Sequence, residues 1–118
     1  MALYVDGFVL PVPRDNVDAY RKMSTKAGKV WMKHGALEYI ECVADDVKPG
    51  KWTSFPQSVK LKPDEVVVFS WIVYKSRKDR DRINALVMKD PFMQHGPGMQ
   101  IFDHKRMIYG GFKTIVEL

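Results

Sequence analysis

The chain has one cysteine, Cys42, so it can form no internal disulfide, and a reducing cytoplasm is the compartment that suits it. No apolar run approaches the roughly 20 residues of a membrane-spanning helix. The opening MALYVDGFVL has no basic residue before its apolar run and carries Asp6 inside it, so it does not read as a signal peptide. No membrane partner is expected. There is no G-x-S-x-G elbow, no C-x-x-C pair and no glycine-rich phosphate loop, and Gly96-Pro97-Gly98 is too short and rigid to cradle a phosphate. The three histidines, His34, His95 and His104, lie far apart without the spacing of a local metal site. A metal would need ligands from distant positions, with Cys42 or Glu41 added. Neither a metal nor a cofactor is expected.

What is present is an ordinary globular composition. The 118 residues are 46% hydrophobic and 28% charged, enough for one domain over 1–118 with its own core. The net charge is +5. The densest basic run, Lys75 to Arg82 (KSRKDRDR), is broken by Asp79 and Asp81 and reads as a solvated helix face, so no nucleic-acid partner is expected.

Glu65 to Tyr74 (EVVVFSWIVY) is β-branched or aromatic at both parities, which predicts a strand buried on both faces. Leu3 to Val12 is a second strand, ended by Pro11 and Pro13. Its set Leu3, Val5, Gly7 and Val9 is apolar or small and is expected to face helices, leaving Tyr4, Asp6, Phe8 and Leu10 on the other side. Asp15 is expected to cap a helix running to about Lys33, with Val17, Tyr20, Ser24, Ala27, Trp31 and His34 as one stripe and Gly35 as its stop. A strand follows over Ala36 to Ala44, then a loop over Asp45 to Thr53. Phe55 to Leu61 reads as a strand extension or hairpin arm. Ser76, with Asp79 three residues on, caps a second helix that stops at Asp90-Pro91. Pro91 to Pro97 reads as irregular or a single helical turn. The last strand spans about His104 to Val116, with a bulge or close backbone approach at Gly110-Gly111.

The order β-α-β-β-α-β defines an α+β, ferredoxin-like fold: a four-stranded antiparallel sheet with both helices on one face. The other face then carries several aromatic side chains. Such a patch is expected to be covered by a second copy, two sheets packing face to face in a homodimer.

The segments YVDGFVLPVP, VVFSWIVY and KRMIYGGF together resemble the bacterial family known as domain of unknown function 1428, over essentially the whole chain. The resemblance implies a dimeric α/β barrel and no established activity. Relatives at the level of fold include antibiotic-biosynthesis monooxygenases, haem-degrading enzymes and muconolactone isomerase, and fold kinship does not transfer chemistry.

The candidate pocket residues are Asp6, Phe8, His34, Glu41, Trp71 and Arg106. Asp6 is the one charge of its strand and needs a partner if buried, and Arg106 on the neighbouring last strand is the expected one. Glu41 between Tyr39 and Val43 could act as a general base. Phe8 and Trp71 would share a cavity wall. His34 sits at a helix end that favours its charge. Three readings stay open: a cofactor-free oxygenase or isomerase acting on a small aromatic or lactone-like molecule in an inter-sheet cavity; a non-catalytic small-ligand-binding or stress-associated dimer; and a protein-interaction module.

Overall fold

The computed structural model describes residues 2–95 and 100–118. In chain order the elements are β1 (Tyr4–Pro13), α1 (Val17–Lys33), β2 (Glu38–Val43), the single-turn α2 (Phe55–Ser58), β3 (Glu65–Tyr74), α3 (Arg77–Met88), the short α4 (Pro91–His95) and β4 (Ile108–Lys113). The strands form one antiparallel sheet in the order β2-β3-β1-β4. β1 and β3 are central, and the fold is α+β and ferredoxin-like.

Local chemistry accounts for the boundaries. Ser76 Oγ accepts the Asp79 N–H at 3.1 Å and starts α3 as expected. Asp15 does not cap α1. It lies in a 3-10 turn over Arg14–Asn16, and the helix opens one residue after that turn. Gly35, at φ +114°, ends α1 in the backbone region that glycine favours. Phe55 begins a helical turn rather than a hairpin arm, because Ser54 caps it and Pro56 sits in its first turn, where a missing N–H is harmless. Pro91 to His95 is the single helical turn. The Gly96-Pro97-Gly98 loop lies outside the described residues, as does the side chain of His95. β4 pairs with β1 without a break, so Gly110-Gly111 makes no bulge. Gly111 instead permits a close approach: a Cβ there would stand 2.5 Å from Tyr4 Oη.

The two sheet faces are the reverse of the expectation for β1. Tyr4, Phe8, Leu10 and Val12 pack toward α1 and α3 with Val68, Ile72 and Tyr74, while Val5 and Val9 lie on the side away from the helices. Asp6 misleads the reading of parity. Its charge is tolerated on the core side because Arg80 of α3 reaches it. The helix-free face carries Val5, Phe69, Trp71, Val73, Ile108 and Phe112. Of these, Phe112 is 63% and Phe69 42% exposed. Apart from the single turn α2, whose Phe55 ring stands 5.8 Å from that of Phe69, no helix of the described residues covers this face, and the segment after α2 covers the same end, where Val59 packs on Val9 and Val67. Among the described residues no helix is long and apolar enough to cross a membrane.

Candidate functional site

A cavity of about 250 Å³ lies on the helix side of the sheet. Phe8 and Leu10 of β1, Tyr20 and Trp31 of α1, and Phe102 and Met107 ahead of β4 form much of its wall. Its polar groups converge from three places: Glu41 on β2, Ser70 on β3, and His104, whose ring lies 4.1 Å from that of Phe102. No lysine or arginine lines it among the described residues. This is a cavity between the sheet and the helix layer within one chain, not the inter-sheet space expected from the sequence.

Glu41 is the chemical centre. Tyr20 Oη donates to its Oε1 at 2.7 Å, and Tyr39 Oη donates to its Oε2 at 3.0 Å. Ser24 Oγ donates to Oε2 as well. Three neutral hydroxyls thus hold the carboxylate, and among the described residues no cation pairs with it. Burial, and next the nearby Glu41 charge, push the phenols of Tyr20 and Tyr39 far above their ordinary range. Both therefore remain donors at neutral pH. The local sequence explains the geometry. Tyr20 and Ser24 are one helical turn apart on the buried stripe of α1. Tyr39 and Glu41 are two apart on β2 and share its helix-facing side. Gly28 lets the Tyr39 ring lie against α1, since a Cβ there would meet that ring at 2.7 Å.

Ser70 stands directly across from Glu41 in the β2–β3 ladder and across from Phe8 in the β1–β3 ladder. It is 5% exposed. Trp31, on the cavity wall, donates from Nε1 to Asn84 Oδ1 at 3.1 Å, and Tyr74 Oη donates to the same oxygen at 3.3 Å.

Asp6 and Arg106 do not pair. Arg80 Nη1 donates to Asp6 Oδ1 at 2.8 Å, in a pair whose side chains are 19% and 8% exposed. Arg106 instead grips Glu65 with two bonds of 2.6 and 2.7 Å and Asp103 with one of 2.9 Å, and it also donates to the Lys60 carbonyl. The bidentate hold of Arg106 keeps the Glu65 carboxyl below its ordinary range. Arg106 thereby fixes the turn that carries His104 and Met107 into the wall. His34 ends α1, and its carbonyl accepts from Arg82. Asp6, Arg106 and His34 are not wall residues, whereas Phe8, Glu41 and Trp71 are. Trp71 borders the cavity from within β3, but its indole belongs to the helix-free face, bonded to Glu38 and 5.6 Å from the Phe69 ring. Among the described residues no group of three or more His, Cys, Asp or Glu could hold a metal ion.

Sequence reasoning missed Tyr20, Ser24 and Ser70 as site residues, and Arg80 as the partner of Asp6. Two signals were available. Tyr20 and Ser24 put hydroxyls at one-turn spacing on an apolar stripe, and Ser70 is the one polar residue among Val66, Val68, Ser70 and Ile72.

The family described as "Protein of unknown function (DUF1428)" matches residues 3–104, and the chain belongs to it. The uncharacterized protein YbaA of Escherichia coli (strain K12) is 50% identical over 114 residues, covering 97% of each chain. The YbaA protein of Shigella flexneri matches equally. Among solved structures, a dimeric ferredoxin-like protein from an uncultured marine organism superposes with a TM-score of 0.63 at 13% identity, covering 100% of both chains. A NIPSNAP family protein of unknown function from Agrobacterium tumefaciens gives 0.59 at 15% identity, covering 95% of this chain and 87% of that one. These likenesses concern the fold.

Proposed function

We propose that this chain is a single dimeric α/β-barrel domain over 1–118, a cytoplasmic homodimer in which each protomer carries out cofactor-free proton transfer of the isomerase type on a small, carbon-rich molecule. The observation that carries the reading is Glu41: a carboxylate without a cationic partner among the described residues, held by three hydroxyls at the wall of an otherwise apolar cavity. A general base needs that placement, within reach of the C–H of a molecule bound in the cavity. Of the oxygenase and isomerase readings, isomerisation is the one that a base and a facing hydroxyl can carry between them. The homodimer is supported by the apolar helix-free face around Phe69 and Phe112 and by the dimeric ferredoxin-like neighbour.

The test uses a ring ketone with enolisable protons, 2-tetralone, in deuterated buffer. The protein should accelerate exchange of the protons next to the carbonyl, followed by NMR, and Glu41→Gln should slow that exchange by about 100-fold or more. Exchange at the buffer rate in the wild type would refute catalysis. A second reading, binding without turnover, is favoured by one observation: both Glu41 oxygens already accept hydrogen bonds, so the carboxylate is committed to Tyr20, Ser24 and Tyr39 rather than free to meet a bound C–H. Saturable binding of 2-tetralone with no exchange would select it.

A further inference from the structure

We infer that Ser70 is the group that holds the ligand's oxygen, and that the cavity takes a compact, uncharged ring carbonyl and refuses organic anions. The inference rests on the reading of Glu41 as the base and names the substrate class of that same site.

Ser70 is a costly residue for its position. It sits in the middle of the central strand, on the core side, among Val68, Ile72 and Phe8, and it is 5% exposed. A hydroxyl at such a place requires a partner. It takes no part in the bonding of Glu41, which is shared by Tyr20, Ser24 and Tyr39. Among the described residues no side-chain hydrogen bond of Ser70 is found and no side-chain nitrogen or oxygen is sealed away without a partner, so the Ser70 hydroxyl, which belongs to the cavity wall, is left facing the cavity. Residues opposite each other on antiparallel strands have Cβ atoms about 4.5–5.5 Å apart. Glu41 and Ser70 are such a pair. A carbonyl oxygen accepting from Ser70 therefore brings its neighbouring carbon toward the carboxylate. In the step itself the C–H bond breaks, the proton passes to Glu41, and the electron pair moves to the carbonyl oxygen as an enolate held by Ser70. Return of a proton to the same carbon completes exchange, and in a ring carbonyl with a β,γ double bond its return to the γ carbon, with the double bond moving into conjugation, completes isomerisation. The enolate is the developing charge that a fixed donor stabilises.

The charge selection has a separate origin. The wall holds one carboxylate and, among the described residues, no lysine or arginine. A ligand carboxylate would face Glu41 with no lysine or arginine in the same wall among the described residues, and like charges at that range repel. The volume of about 250 Å³ limits the ligand to roughly a dozen non-hydrogen atoms.

Calorimetric titration of the purified full-length protein tests both halves. The probes are 2-tetralone, its oxygen-free analogue tetralin, and 2-naphthoate. Wild-type protein should bind 2-tetralone about tenfold or more tighter than tetralin. Ser70→Ala should abolish that preference without weakening tetralin. Ser70→Cys, close in size and a poor donor, should do the same, and it serves if the alanine variant folds badly. 2-Naphthoate should bind Glu41→Gln at least about tenfold tighter than wild type. Equal affinity for the ketone and tetralin, a ketone preference that survives in both Ser70 variants, or equal binding of 2-naphthoate to wild type and Glu41→Gln would overturn the inference. The two proposals fail separately. Binding preferences intact with no proton exchange remove the catalysis alone, whereas exchange intact with no preferences removes the role of Ser70 and the charge selection alone.

Discussion

Tyr20 Oη lies 2.7 Å from Glu41 Oε1, and this bond ties α1 to the edge strand β2 across the cavity wall. Because burial and the Glu41 charge raise the phenol values of Tyr20 and Tyr39 in the folded state, the sign of the pH effect is fixed. Their contribution to stability is complete below the ordinary phenol value of 10.0 and is lost as pH rises above it, because the unfolded chain gives up those protons first. Chemical denaturation between pH 8 and 11 should show stability falling above about pH 10. The fall should be shallower in Tyr20→Phe, which also loses about 1 kcal/mol at neutral pH.

Gly28 offers a test in which the usual helix rule is overridden. Alanine in place of a mid-helix glycine ordinarily stabilises by up to about 1 kcal/mol. Here the new Cβ would meet the Tyr39 ring at 2.7 Å and push Tyr39 away from Ser24 and Glu41. Gly28→Ala should lower the melting temperature. An increase would show that the ring shifts freely and that its hydroxyl does not hold Glu41.

The Asp6–Arg80 pair is buried enough for its loss to matter. Arg80→Met leaves a carboxylate on the core side of β1 and should destabilise by about 3–5 kcal/mol. The double variant Asp6→Asn with Arg80→Met should recover most of that loss in urea denaturation, since no unpaired charge remains. A double variant as unstable as the single one would mean that packing of the Arg80 stem on the Tyr4 ring carries the effect.

Phe112, 63% exposed in the protomer, lies on the helix-free face beside Val5. Light scattering across a wide dilution range should give twice the protomer mass of 13.6 kDa. Phe112→Lys should shift the protein toward monomer at low concentration. A wild-type monomer would remove the second copy from the account.

Much of the fold was legible in the sequence, because length, order and capping signals all point the same way. Glu65 to Tyr74 reads as a central strand, and Ser76 reads as a cap, from local chemistry alone, whereas the burial expected on both faces of that strand is met only on the side of α1 and α3, since Phe69 on the other is 42% exposed. The faces of β1 were not legible. A strand apolar on both sides gives parity no purchase, and the single charge, Asp6, pointed the wrong way. Its partner was hidden in a mixed-charge helix run, where Arg80 looks no different from Arg77 or Arg82. Glu41 was visible as a candidate base. The hydroxyls around it were not, because Tyr20 and Ser24 meet Glu41 only after α1 folds across β2.

The most direct test of the central claim, that the ligand site lies between the sheet and α1 of each protomer, is amide chemical-shift mapping of isotope-labelled protein titrated with 2-tetralone. The largest shifts are expected at Tyr20, Glu41, Ser70 and Phe102, around the cavity. Shifts confined to Val5, Phe69 and Phe112, on the helix-free face, would contradict the account.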